Sequence, residues 1–306
     1  MQVSAAYVGV ILIWSTTPLA IKWSGEGTGF LFGVSARMTL SLALCLALMV
    51  LLRRQLPWHR DALMTYGAST LGIFGAMLTV YWGAQYIPSG LVSVLFGLSP
   101  LLVSVLGAWW LDERNLTTLK VGGILFGIAG LAVVFESELR LGENGWKGVL
   151  GVIASVMLYS LSMVLVKRID ARLPALTSTT GGLLFSFPLF AATFWLTGES
   201  VPVSVPMRTG LSITYLAVFG SVLGFILFYY ILVRLSSTSV ALITLLTPVL
   251  AVLLGAALNG EHLQSGVMAG CAMILSGLFL HLWGDSHIAL SRLRLPGRGT
   301  GDAPEP

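Results

Sequence analysis

Along most of this chain the apolar residues neither alternate with polar ones nor recur at a single helical stripe; they run on in blocks separated by short polar segments. Blocks of about 20 residues are what a helix needs to cross ~30 Å of hydrocarbon. They predict helices over 4–23, 31–52, 63–85, 89–111, 117–135, 147–167, 176–196, 209–232, 238–258 and 264–284. The charge-free stretch 62–111 is too long for one span and divides at Tyr86, Ile87, Pro88, Ser89 and Gly90, where proline and glycine permit a tight turn and a helical hairpin. The expected fold class is therefore an all-α integral membrane protein with ten transmembrane helices.

Composition supports this solvent. Hydrophobic residues make up 56% of the chain and charged residues 10%, against roughly a quarter charged in soluble domains. None of the thirteen acidic residues falls near the middle of an apolar block. The net charge of +4 does not indicate nucleic-acid binding, because Lys and Arg sit in short loops and not on one face. Cys45 and Cys271 both lie inside apolar blocks, which argues against a disulfide framework or a metal site and for buried thiols. The first block lacks a basic leader and a small-residue cleavage pattern, so it reads as a mature helix and not as a secretory signal. The Arg-, Gly- and Pro-rich residues 285–306 read as a disordered cytoplasmic tail.

Basic residues near helix ends are retained in the cytoplasm. With a cytoplasmic N-terminus, twelve of the seventeen Lys and Arg fall on the inner side, while Lys22, Arg140, Lys147 and Arg208 fall outside and Arg37 lies within a helix. A multi-pass protein of the cell (inner) membrane with both termini cytoplasmic is the expected topology.

The most specific signal is internal. A shift of 148 residues lays 88–113 on 236–261 with nine of twenty-six pairs identical, among them Ser89 with Ser237, Pro100 with Pro248, Gly107 with Gly255 and Glu113 with Glu261; apolar composition alone would give roughly three. Gly123 and Gly130 fall on Gly270 and Gly277, and Trp14, Thr17 and Lys22 fall on Tyr159, Ser162 and Lys167. Two units, 1–140 and 145–284, each hold five helices; an odd number inserts the second copy upside down and produces an inverted repeat. With these paired segments, the Trp14-to-Lys22 start and the glycine-containing fifth and tenth helices, nearly all of 1–284 resembles the drug/metabolite transporter superfamily, specifically its EamA-type ten-helix members. The resemblance implies transport of a small solute, the superfamily including exporters of amino acids and other metabolites.

Candidate pathway residues follow from polarity at mid-membrane depth. Trp14 and Thr17 share a helix face, as do Tyr159 and Ser162, while Tyr81 and Gln85 sit four apart; Tyr229 and Tyr230 are the repeat partners of Tyr81 and Trp82. Buried Tyr, Trp and Gln need partners for their polar atoms and so should face the bundle interior. Together with Ser93 and Thr244 they are expected to line a cavity for a small polar or amphipathic solute. Pro100 and Pro248 are expected to kink the fourth and ninth helices around it. Arg37, about 10 Å from its helix end, either binds a substrate carboxylate or snorkels outward, the cheaper arrangement. Lys22 and Lys167 read as interfacial anchors, His281 as an interfacial residue, and Glu113 and Glu261 as caps of the fifth and tenth helices.

Absences narrow the mechanism. A proton-coupled cation or drug carrier normally needs a membrane-buried carboxylate, and none occurs. No HExxH, phosphate loop or His-Cys cluster points to a membrane enzyme, and no repeated filter motif or ring of like charge points to a channel. The reading is thus an exporter of an amino acid or related zwitterionic solute by alternating access, with lipid and solute as its partners, no cofactor, and a proton-coupled drug carrier as the alternative.

Overall fold

The computed structural model describes residues 2–111, 117–140, 144–232, 234–235 and 237–293; Glu113 lies outside them, and the side chain of Tyr229 is likewise not described. Among the described residues, ten helices are long and apolar enough to cross a membrane. They are α1 (Val3–Ser24), α2 (Phe30–Leu51), α3 (Arg60–Gly83), α4 (Ser89–Trp110), α5 (Thr118–Arg140), α6 (Gly145–Ile169), α7 (Ala175–Leu196), α8 (207–232), α9 (Ser237–Asn259) and α10 (Ser265–Leu293). Exposed Leu125, Ile128, Leu253 and Phe279 belong to the surface that meets lipid. Helix α10 continues to Leu293, beyond Asp285 where the tail was expected to begin, because no helix breaker follows Gly284 until Pro296.

The two halves are inverted and interlocked. Helix α3 of the first half packs on α6 and α7 of the second, and α8 of the second packs on α1 and α2 of the first. Helices α5 and α10 lie against each other through glycines. A Cβ built on Gly123 would stand 2.5 Å from the Gly277 carbonyl oxygen, and one on Gly130 would stand 2.8 Å from that of Gly270. Since Gly123 is the repeat partner of Gly270 and Gly130 of Gly277, the repeat maps the Gly123–Gly277 contact onto the Gly270–Gly130 contact, as an inverted two-fold demands. With no hydrophobic drive between helices in lipid, close backbone approach at small residues is what joins them.

One departure from regular α-helix recurs in both halves. Residues Leu71–Ala76 of α3 and Leu216–Leu223 of α8 are π-helical, a conformation frequent at functional sites. Hydroxyls satisfy carbonyls in and around these segments: Ser155 donates to Ala76 at 2.6 Å, Ser162 to Ala68 at 2.8 Å and Ser221 to Leu216 at 3.2 Å. The paired prolines differ. Helix α4 is interrupted between Phe96 and Ser99, with Pro100 in the first turn of the following segment, whereas α9 runs unbroken through Pro248. Gly97 stands at the interruption, and its repeat position in α9 is Leu245.

Candidate functional site

At the end of the bundle carrying Lys22, a polar cluster ties the halves together. Gly260 takes a left-handed turn (φ 62°) after α9 and returns the chain so that the Glu261 N–H bonds to the Gly255 carbonyl at 3.1 Å. Gly255 has no side chain to obstruct the Glu261 carboxylate, which reaches the start of α4. There Pro88 is extended and its carbonyl accepts the Val92 N–H at 3.2 Å, so the Ser89 N–H, at the first helical position, has no carbonyl within the helix to bond. Glu261 Oε2 accepts that N–H and the Ser89 hydroxyl, both at 2.8 Å. Its Oε1 accepts Asn259 Nδ2 at 2.9 Å and lies 3.5 Å from Lys22 Nζ, which also donates to the Ile87 carbonyl at 3.2 Å. Burial pushes the Glu261 carboxyl up, but hydrogen bonds from Ser89 and Asn259 and the Lys22 charge outweigh it, so its pKa falls below the ordinary carboxylate value.

The cluster extends to α8. Asn259 Oδ1 accepts Trp23 Nε1 at 3.0 Å and Arg208 Nη2 at 3.3 Å, while Arg208 pairs with Glu26 at 3.4 Å and stacks over Trp23 at 4.1 Å. Glu261 thus caps α4, a helix of the opposite half, and not the α10 expected from sequence. Lys22, expected as an interfacial anchor, is a member of this cross-link.

A second cluster lies inside the bundle. The side chains of α2 and α3 lean toward their own N-termini, so Arg37 and Tyr81, on antiparallel helices, approach each other. Arg37 Nη1 donates to Tyr81 Oη at 3.4 Å. Arg37 is 5% exposed and Tyr81 1%, which rules out snorkelling in this structure. The guanidinium also faces the α8 π segment, its Nη2 lying 3.4 Å from where a Gly220 Cβ would stand, with Thr17 Oγ1 at 3.8 Å from the same point. Arg37 has no ion-pair partner among the described residues, and its Nε–H has no acceptor. One turn further along α8, Trp14 lies against Gly224, its ring 4.9 Å from that of Phe228. Thr16 and Tyr215 join hydroxyls at 2.6 Å between α1 and α8.

The repeat equivalents form a separate cluster. Ser162 and Tyr159 of α6 face Gly72 of the α3 π segment, as Thr17 faces Gly220 of α8, and Tyr159 packs edge-on to Phe96 at 6.3 Å. Other expected lining residues lie elsewhere. Trp82 packs on Gly151 and Tyr86, beside an apolar lateral pocket that includes Phe30, Leu78 and Thr193. Gln85 falls beyond the end of α3, exposed, with its amide donating to the Trp82 carbonyl at 3.1 Å; α3 stops at Gly83, two residues short of the expected boundary. Tyr230 lies beneath Arg234, 3.9 Å from its guanidinium, near the end of α8. Ser93 is buried in α4, and Thr244 is half-buried in α9. Sequence reasoning missed Ser89 and Asn259 as partners of Glu261, Arg208 as a partner of Asn259 and Glu26, and Thr16 and Tyr215 as a bridge. The identity of Ser89 with Ser237 and of Glu113 with Glu261 was the available signal for the first set.

The profile of the EamA-like transporter family matches residues 4–136 and again 146–283. The chain is 27% identical to the "uncharacterized inner membrane transporter YedA" of Escherichia coli, over 85% of this chain and 83% of that protein. It is 25% identical to a "probable terminal-alkyne amino-acid exporter" of Streptantibioticus cattleyicolor, over 90% of this chain and 91% of that one. A solved crystal structure shares the fold with a TM-score of 0.62 at 23% identity, covering 96% of this chain and 99% of that one.

Proposed function

Because the chain belongs to the EamA-like transporter family, with the family module present twice, we propose that it exports a small amino-acid-like metabolite across the inner membrane by alternating access. A relative named as an amino-acid exporter supports the solute class. The observation that carries the mechanism is the cross-link from Glu261 to Ser89 and Lys22, which draws α9, α4 and α1 together at one end of the bundle. The inverted repeat supplies counterparts of all three residues in Glu113, Ser237 and Lys167. On this reading Glu261 latches the end facing away from the cytoplasm while solute is loaded from the cytoplasmic side. Rocking of the halves exchanges that latch for the one built on Glu113.

Purified protein in liposomes tests the reading. A carrier gives saturable flux that related solutes compete for, a channel passes current, and an enzyme converts solute without a gradient. Absence of saturable flux for every solute in a panel of amino acids and their derivatives sinks the proposal.

A further inference from the structure

We infer that Arg37 is the residue that recognises solute, and that it selects molecules bearing a carboxylate. The inference deepens the transporter reading and rests on it.

A guanidinium inside a membrane bundle is normally paired with an acidic residue or a set of carbonyls. Arg37 is 5% exposed, and among the described residues its guanidinium makes a single hydrogen bond, a long one of 3.4 Å to the Tyr81 hydroxyl, while its Nε–H is without an acceptor. No acidic residue lies near the middle of any apolar block, so the chain itself offers no countercharge at this depth. The planar fork of N–H donors matches a carboxylate in geometry and in charge. Tyr81 Oη stands beside it as an additional donor, Thr17 bounds the same region next to the small Gly220, and Trp14 lies one helical turn along α8, against Gly224.

The repeat shows that packing does not require this charge. Helix α7 is the counterpart of α2, and where Arg37 faces the α8 π segment, Gly182 faces the α3 π segment, beside Ser69 and Ile73. One half therefore makes the contact with a glycine and the other with an unpaired cation. The asymmetry marks a binding function confined to the first half.

The test uses purified full-length protein and Arg37→Gln, with thermal unfolding in detergent as the readout. The ligands are the proteinogenic amino acids, each beside its carboxamide and its decarboxylated amine. Carboxylate-bearing members stabilise the wild type, their amides and amines do not, and Arg37→Gln weakens the effective ligands roughly 10- to 100-fold. Without ligand, Arg37→Gln unfolds at the same or a higher temperature, because an uncompensated charge has been removed. A lower unfolding temperature without ligand assigns Arg37 to structure and overturns the inference. So does equal stabilisation by amides or amines, or stabilisation by no carboxylate at all. Saturable liposome flux of an uncharged or cationic solute would in that case leave the transporter reading standing while Arg37 recognition fails.

Discussion

Glu261 closes the first turn of a helix that lies 172 residues earlier in the chain, accepting both the N–H and the hydroxyl of Ser89 at 2.8 Å. Because Glu261 follows α9 and Ser89 begins α4, one carboxylate links the two inverted halves. Hydrogen bonds to a charged acceptor contribute about 1.5–3 kcal/mol each, enough to bias a conformational equilibrium yet weak enough to be broken in the cycle we propose.

Replacing that carboxylate separates its two roles. Glu261→Gln keeps an acceptor for Ser89 but loses the attraction to Lys22; Glu261→Ala loses everything and leaves the Ser89 N–H uncapped. Thermal unfolding should rank wild type above Glu261→Gln and Glu261→Ala lowest, with Glu261→Ala costing about 2 kcal/mol or more. A ranking with Glu261→Ala equal to wild type would show the cross-link to be energetically idle.

The pH response has a definite sign. The pKa of Glu261 is depressed in the folded protein, so its stabilising contribution is complete above the ordinary carboxylate value of about 4.3 and is lost only as pH falls through the lower folded value. Flux and thermal stability attributable to this group should be flat from neutral pH down to about 5. A pH profile in which Glu261→Gln removes an inflection near neutrality would contradict that.

The α5–α10 contact should tolerate no added atoms. A Cβ on Gly277 would stand 2.6 Å from the Gly123 carbonyl oxygen and 2.7 Å from the Gly127 nitrogen. Gly277→Val should destabilise by about 1–3 kcal/mol through forced separation of the helices, whereas Gly122→Ala, with open space around it, should be neutral in the same unfolding assay.

Within the interior, Tyr81→Phe removes only the hydroxyl that Arg37 reaches. Yield and membrane insertion should be retained and the apparent affinity for solute should drop, with about 0.5–1.5 kcal/mol lost. Unchanged flux for Tyr81→Phe and for Trp14→Ala alike would remove both from the pathway.

Much of the architecture was legible because the bilayer imposes it: apolar runs of spanning length give ten helices, and the repeat with an odd helix count gives their inversion. Gly123 and Gly130 were recognised through the repeat, and the structure shows what they do. Side-chain direction was not legible. Glu261 precedes α10 in sequence but follows Gly260, whose turn aims it at α4; Gln85 shares a helical register with Tyr81, but the helix ends between them. The π segments carry no distinct pattern, and where sequence placed one cavity the structure places Arg37 with Thr17 and Tyr81, Tyr159 with Ser162, and Trp82, Gln85 and Tyr230 apart from both. Arg37 was noticed for its charge alone. That its neighbours leave the charge unmatched depends on tertiary packing, which no spacing rule conveys.

The central claim is that α4 and α9 must part at the Lys22 end during transport, and a reversible tether across that seam tests it most directly. A Cβ on Gly90 would lie 3.2 Å from that of Val252 and 2.7 Å from its Cα, so the seam must widen by several tenths of an ångström to take the roughly 3.5–4.5 Å a disulfide spans, and flux of the reduced pair is the reference. The pair Gly90→Cys and Val252→Cys, placed in a background where Cys45 and Cys271 are alanine, leaves Ser89, Glu261 and Lys22 in place. Efflux from proteoliposomes of the solute the protein carries best should stop on oxidation and return with reductant. Equal flux with the cross-link verified as formed would contradict the account.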